Sequence, residues 1–289
     1  MNLQATTVDS APLTDVQSRG DSRRIDIDKV GVKNIRYPII VRDRSRGNQH
    51  TIASVNMYVR LPHRFKGTHM SRFLEVLSAH DQAVSVENLP NLLQGIRDHL
   101  DAEEAHIDLE FPFFIQKKAP VTGAQAMMDY QVRFSGIQSG DDFRMTLGVV
   151  IPVTTLCPCS KEISERGAHN QRSHVTVNLS FHRFVWVEEV IELVERQASC
   201  PLYAILKRPD EKYVTERAYD HPMFVEDMVR AVAAELEKDS RIAWFTVESE
   251  NFESIHNHSA YAFLEGGGKK ESRDLLRYGS DAFGERRQR

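Results

Sequence analysis

The sequence predicts an α+β protein in which antiparallel sheets carry helices on one side. Alternating apolar and polar residues mark at least six segments as strands, and three of them follow one another with only short turns between. The helical patterns fall between groups of strands and not after each one, which disfavours a parallel β-α-β fold. At 289 residues, 41% apolar and 27% charged, the chain can bury one sizeable core or two smaller ones. Its formal charge of −4 gives no global reason to expect nucleic-acid binding, although a local basic pocket could hold a small anion. No run of eighteen apolar residues is present, so no membrane span is expected.

Residues 1–30 read as a polar leader unlike a secretory signal or transit peptide, and a cytoplasmic location is expected. The first strand is HTIASVNMYVRL (50–61), ended by Pro62. The polar stretch LPHRFKGTHMSRF (61–73) leads into FLEVLSAH, whose spacing fits one or two helical turns. ENLPNLLQGIRDHL (87–100) is a better helix: Pro90 suits a first turn, and Leu92, Leu93, Ile96 and Leu100 share a face. Strands follow over 106–118, 126–138 and 142–156, joined at PVTG and SGDD by turn-forming residues. Beyond a cysteine-bearing loop come a strand over 173–182 and helices over 185–198 and 223–239. RIAWFTVESENFESIHNHSAYAFLEG then reads as a strand with an irregular continuation, before a polar tail over 271–289. Two similar halves are conceivable without a visible repeat, and the break would fall within 157–172.

The chemistry concentrates in four polar segments. In TTLCPCSKEISERGAHNQRSH (154–174), Cys157 and Cys159 flank Pro158. Three cysteines make a poor disulfide framework, so thiols or metal ligands are the better reading. Side chains two apart on an extended segment point to opposite sides, and a closed zinc site usually has four protein ligands at wider cysteine spacing. The pattern therefore leans towards an open site with one Cys plus His or carboxylate ligands; the alternative is two small residues flanking a turn. His169, in a polar stretch, has few packing reasons to exist, whereas His174 suits a strand boundary. In KRPDEKYVTERAYDHPMFVED (207–227), Glu211 falls in a charged loop and Glu226 in the first turn of a helix, where it either stabilises the N-terminus or accepts paired N–H donors from a guanine-like ring. In ESENFESIHNHSAYA (248–262), Glu253, His256 and His258 are suited to proton transfer, or to a solvated strand end. Lys66, His69, Ser71 and Arg72 surround Gly67 at a strand-to-helix junction that can cradle phosphate, although no P-loop motif is present.

Together these four segments resemble the type IB GTP cyclohydrolase I family, prokaryotic enzymes distinct from the common type IA, over roughly residues 15–270. The resemblance implies a tunnelling fold (T-fold), with a fused pair of units at 31–156 and 173–270 around an active-site connection at 157–172. It implies a homotetramer with active sites at subunit interfaces, and conversion of GTP and water to 7,8-dihydroneopterin triphosphate and formate. A zinc or manganese ion is implied on Cys157, His169 and Glu211, where it would make water nucleophilic towards C8 of the purine. By the same resemblance Glu226 grips the guanine edge, Cys159, His256 and Glu253 serve catalysis, and Lys66, His69, Ser71, Arg72 and Arg172 bind the rest of the substrate. Two rivals predict other company. A T-fold nitrile reductase would use its cysteine as a nucleophile with a nicotinamide cofactor, and a zinc-stabilised assembly protein would have a closed metal and no turnover.

Overall fold

The computed structural model describes residues 15–79 and 88–268. The first fourteen residues of the leader and the tail over 271–289 lie outside the described residues, as does Glu87. Two long strands, β1 (Ile27–Asp43) and β2 (Gly47–Leu61), precede helices α1 (Met70–Ala79) and α2 (Leu89–Leu100). Strands β3 (Glu104–Lys118), β4 (Gln125–Ser139) and β5 (Asp142–Leu156) follow as a meander. After the short helix α3 (Pro158–Ile163) come β6 (Asn170–Phe181), α4 (Val187–Gln197), the two-residue β7 (Cys200–Pro201), α5 (Arg208–Asp220) and α6 (Val225–Leu236). Strands β8 (Ile242–Phe252) and β9 (Ser259–Gly267) complete the described chain.

All strands belong to one antiparallel sheet in the order β1-β2-β3-β4-β5-β6-β8-β9, with β7 paired to β5. Register explains why the core is continuous. Val55, Leu109, Phe134, Leu147, Leu179 and Phe245 are successive cross-strand partners from β2 to β8, so one apolar row crosses the sheet. Phe73, Leu77, Leu92 and Ile96 from α1 and α2 and Ile191, Val194, Met228 and Val232 from α4 and α6 cover that face in the same cluster. The opposite face is polar: Asp108, Ser135 and Thr146 are also successive partners, and the Ser135 hydroxyl donates to Asp108 at 2.6 Å. Helices on one face of an antiparallel sheet are the arrangement the sequence predicts.

Four elements depart from the sequence expectation. β1 begins at Ile27, inside the leader assigned to 1–30. Its alternation is broken by register shifts at 27–30 and 32–35, and Asn34 there has φ 61° and donates its N–H to Asn56 Oδ1. Gly31 lets β1 lie against β2, because a Cβ there would sit 2.0 Å from the Met57 carbonyl oxygen. The irregular continuation after 252 contains a full edge strand, β9, in which exposed and half-buried residues alternate. Helix α3 occupies part of the cysteine-bearing loop, and α5 occupies the charged loop; α5 buries only Asp210 and Ala218, too few to make an apolar stripe. Element order repeats as two strands, helices and two strands, so a division into such halves falls at the β4–β5 turn, ahead of 157–172.

What holds α5 without an apolar stripe is Asp210. Its fully buried carboxylate accepts N–H donors from Val121, Thr122 and Lys207 at 2.8–2.9 Å and the Thr122 hydroxyl at 2.7 Å, tying the helix to the β3–β4 turn. Burial raises the carboxyl pKa, but the donors from Thr122, Lys207 and Val121 outweigh it and hold the group well below its usual 3.8. A depressed folded-state pKa gives stabilisation that is complete above the unfolded value and is lost as pH falls below it. Asp210→Asn should therefore lower the urea midpoint most at pH 7 and by less at pH 3, where part of the stabilisation is already lost. Equal losses at both pH values would contradict this linkage.

Candidate active site

The site forms where β5, β6, β8 and the start of α6 meet. β5 ends at Leu156 opposite Asn170, so the next pair outward is Cys157 and His169; the Cys157 N–H donates to the His169 carbonyl at 3.1 Å. Ser160 clamps this pair. Its hydroxyl donates to the Cys157 carbonyl at 3.1 Å and accepts the His169 N–H at 3.2 Å, while its own N–H donates to Cys157 Sγ at 3.4 Å. The Met223 N–H donates to the Leu156 carbonyl at 2.9 Å, bringing the first turn of α6 and Glu226 alongside. From the far side, the β8–β9 connection supplies Glu253, His256 and His258, with the two imidazoles stacked at 5.3 Å.

These groups line one pocket of about 280 Å³ with Gln171, Asn251, Ala260 and the apolar Met223, Phe224 and Val225. It is wide enough for a purine ring and small for a whole nucleoside triphosphate. Beneath it the core face of the sheet continues with polar side chains, of which Gln171 and Asn251 reach the pocket: Thr155 follows Ile151 and Val153, Gln171 and Ser173 precede Val175, and Asn251 lies beyond Phe245 and Val247. All four are buried and hydrogen-bonded in sequence. Gln171 Nε2 donates to Thr155 Oγ1 at 2.8 Å, Thr155 and Ser173 share a hydrogen bond of 2.7 Å, and the Ser173 hydroxyl donates to Asn251 Oδ1 at 2.7 Å. His169 Nδ1 lies 3.1 Å from Gln171 Oε1, 3.5 Å from Ser254 Oγ and 3.9 Å from Glu253 Oε2.

Of the residues singled out in the sequence, the pocket thus gathers Cys157, His169, Glu226, Glu253, His256 and His258. Cys159 is exposed on α3, Arg172 is exposed on β6 between Gln171 and Ser173, and Glu211 is exposed in the first turn of α5; none of the three lines the pocket. His174 lies inside β6, past the start expected for that strand, and packs edge-on against Phe252. Lys66, His69, Ser71 and Arg72 lie at the β2–α1 junction on the other half of the sheet. There His69 Nε2 is 3.4 Å from Asp15 Oδ2, and the Arg72 guanidinium donates to the His99 carbonyl. Sequence reasoning missed Ser160, Gln171 and Asn251. The signal for the last two was available, because both are polar residues on the apolar side of a strand's alternation.

Among the described residues no three His, Cys, Asp or Glu side chains converge as a ready-made metal cluster. The donor types nonetheless fit a borderline divalent ion: a thiol, an imidazole and carboxylates open on the same pocket. The clamp that aligns the first two is testable. Ser160→Ala removes two hydrogen bonds and strands the His169 N–H, and should lower the unfolding free energy by about 1–2 kcal/mol in urea denaturation. An unchanged midpoint would show that Ser160 is not holding the pair.

Comparison with known proteins agrees with this geometry. The family model described as type I GTP cyclohydrolase FolE2 matches residues 13–262. The GTP cyclohydrolase FolE2 of Magnetococcus marinus is 70% identical over 256 residues, covering 89% of this chain and 97% of its own length. That of Nitrosococcus oceani is 58% identical over 254 residues, covering 88% and 95%. Among solved structures, uricase from Arthrobacter globiformis superposes with TM-score 0.50 at 12% identity, over 84% of this chain and 93% of its own. A mutant urate oxidase from Bacillus sp. TB-90 gives 0.51 at 8% identity, over 84% and 100%. At such identities these two show shared architecture alone, the tunnelling fold. The spacing of the site residues and the match along nearly the whole described chain lead to one conclusion: this chain belongs to the type I GTP cyclohydrolase FolE2 family.

Proposed function

We infer that this chain is a GTP cyclohydrolase of type IB, and that it converts GTP and water to 7,8-dihydroneopterin triphosphate and formate in the pocket between β5, β6, β8 and α6. The observation that carries the reading is the convergence there of Cys157, His169, Glu226, Glu253 and His256 from three separate stretches of chain. Cys157 and His169 would hold a divalent ion, zinc or manganese, with Glu211 as the third ligand by family resemblance. An ion there makes water nucleophilic at neutral pH. Glu226, on the rim, accepts two N–H groups of the guanine edge and so aims C8 at the Cys157–His169 corner. His256 and Glu253 face the opened imidazole, where a neutral ring nitrogen takes a proton during ring opening and returns it as formate leaves. By family resemblance alone, Cys159, exposed on α3, would be the second thiol of the reaction.

The triphosphate then extends out of the pocket towards basic residues. Lys66, His69, Ser71 and Arg72 stand on the other half of the sheet from this pocket, and Arg172 faces outward beside it. In a homotetramer with shared sites, the first four would come from a neighbouring subunit. Two T-fold units joined at the β4–β5 turn suit this assembly. The product begins tetrahydrofolate synthesis, in keeping with a cytoplasmic location. Among the described residues no helix is long and apolar enough to cross a membrane.

Cys157→Ala should abolish both metal retention and formate release from GTP, read by metal analysis and by the fluorescence of the oxidised pterin. A metal-replete, active variant would sink the assignment. Glu226→Ala should leave metal content unchanged and lower kcat/KM for GTP about 100-fold or more, as expected for the loss of two charge-assisted hydrogen bonds of about 1.5 kcal/mol or more each.

A further inference from the structure

We propose that a one-way hydrogen-bond relay, His169–Gln171–Thr155–Ser173–Asn251, holds His169 as its Nδ1–H tautomer and so keeps the Nε2 lone pair facing a divalent cation. Gln171 is then a positioning residue of the site. The proposal rests on His169 being a metal ligand, as in the functional reading above.

The polarity of the relay follows link by link from its far end. The Ser173 hydroxyl donates to Asn251 Oδ1, which spends its single proton. The 2.7 Å contact between Thr155 and Ser173 must then run from Thr155 to Ser173. Thr155 Oγ1 is left as the acceptor for Gln171 Nε2, at 2.8 Å. With its amide N–H group committed there, Gln171 presents Oε1 to the imidazole, at 3.1 Å from His169 Nδ1. An amide oxygen only accepts, so Nδ1 carries the hydrogen and Nε2 is bare.

Two further observations agree. Glu253 Oε2, 3.9 Å from the same Nδ1, is also acceptor-only when ionised, while Ser254 Oγ, 3.5 Å away, serves either tautomer. The relay is also rigid. Thr155 and Ser173 are fully buried, Gln171 and Asn251 nearly so, and the four sit on three adjacent paired strands. Reversing one hydroxyl would set two donors against each other in a buried site, which is costly. A relay running the other way would aim the Gln171 N–H group at Nδ1, protonate Nε2 and close the ring to a cation. The choice of amide orientation is therefore equivalent to the choice between a ligand and a spectator histidine.

The test uses full-length protein labelled with ¹⁵N and stripped of metal by chelator, at a pH where the ring is neutral. Long-range ¹H–¹⁵N correlation, with His169→Ala to assign the signal, should show the Nδ1–H tautomer. Zinc affinity, measured by competition with a chromogenic chelator, should fall about 10- to 100-fold in Gln171→Leu, the range typical for loss of a residue that orients a histidine ligand. It should recover to near the wild-type value in Gln171→Glu, whose carboxylate still accepts Nδ1–H. An Nε2–H tautomer in the wild-type chain, or wild-type zinc affinity in folded Gln171→Leu, overturns the proposal. Should Gln171→Leu fail to fold, the wild-type tautomer and Gln171→Glu decide it: loss of both zinc binding and the Nδ1–H signal in the latter overturns it. The functional reading fails separately. Zinc held by an Nδ1–H His169 with no formate from GTP would leave the relay standing, while turnover with an Nε2–H ring would remove the relay alone.

Discussion

The register between β5, β6 and β8 is the constraint on which the rest of this structure depends. Pairing Leu147 with Leu179 and Leu179 with Phe245 aligns the core, and the same ladder carried along the strands sets Thr155 against Gln171 and Ser173 against Asn251. A shift of one residue would turn every one of these side chains to the opposite face. The apolar row that stabilises the sheet and the polar row beneath the pocket are therefore a single alignment, read at two heights. That coupling lets the Cys157–His169 corner be positioned by burial of valine and leucine elsewhere on the same strands.

Around this frame the site is assembled from short-range devices. Ser160 binds Cys157 and His169 into one unit at the strand ends, and Asp210 secures a helix whose own apolar surface is too small to do so. A small satellite cluster, Leu156, Cys200 and Ala218 with Ala168 and Val214 packed against it, seats α5 beside the cysteine-bearing segment. The buried row Gln171, Thr155, Ser173 and Asn251 is matched donor to acceptor, which makes its geometry specific because each unmatched alternative carries a desolvation penalty. The rim is built differently: Glu226, His256 and His258 are exposed.

Membership of the GTP cyclohydrolase family gives these features a common purpose. A reaction that opens and recloses a ring needs a held substrate, a water made nucleophilic and several proton transfers in one place. The pocket brings together a carboxylate from α6, a thiol–imidazole corner at the ends of β5 and β6, and two stacked histidines from the β8–β9 connection. Uricases share the sheet and helix arrangement without close sequence similarity, so the architecture itself does not choose the reaction.

Strong local patterns made much of the molecule legible in advance. β2 to β6, β8 and helices α2, α4 and α6 follow from alternation, helical spacing and turn residues, because each buries one regular face. β1 escaped because bulges and Asn34 in the left-handed region break its period, and α5 because it is held by one carboxylate and not by a stripe. The polar segments identified the chemistry, and their residue types pointed to a metal, a purine and proton transfer. Which of those residues share one pocket was decided only by the tertiary structure. Glu226 and Glu253 come from segments far from Cys157 in the chain and arrive beside it through strand pairing and helix docking, whereas Cys159, two residues away in sequence, faces elsewhere on its helix turn. Local sequence determines period and chemistry; proximity between distant segments depends on register, which only the folded sheet sets.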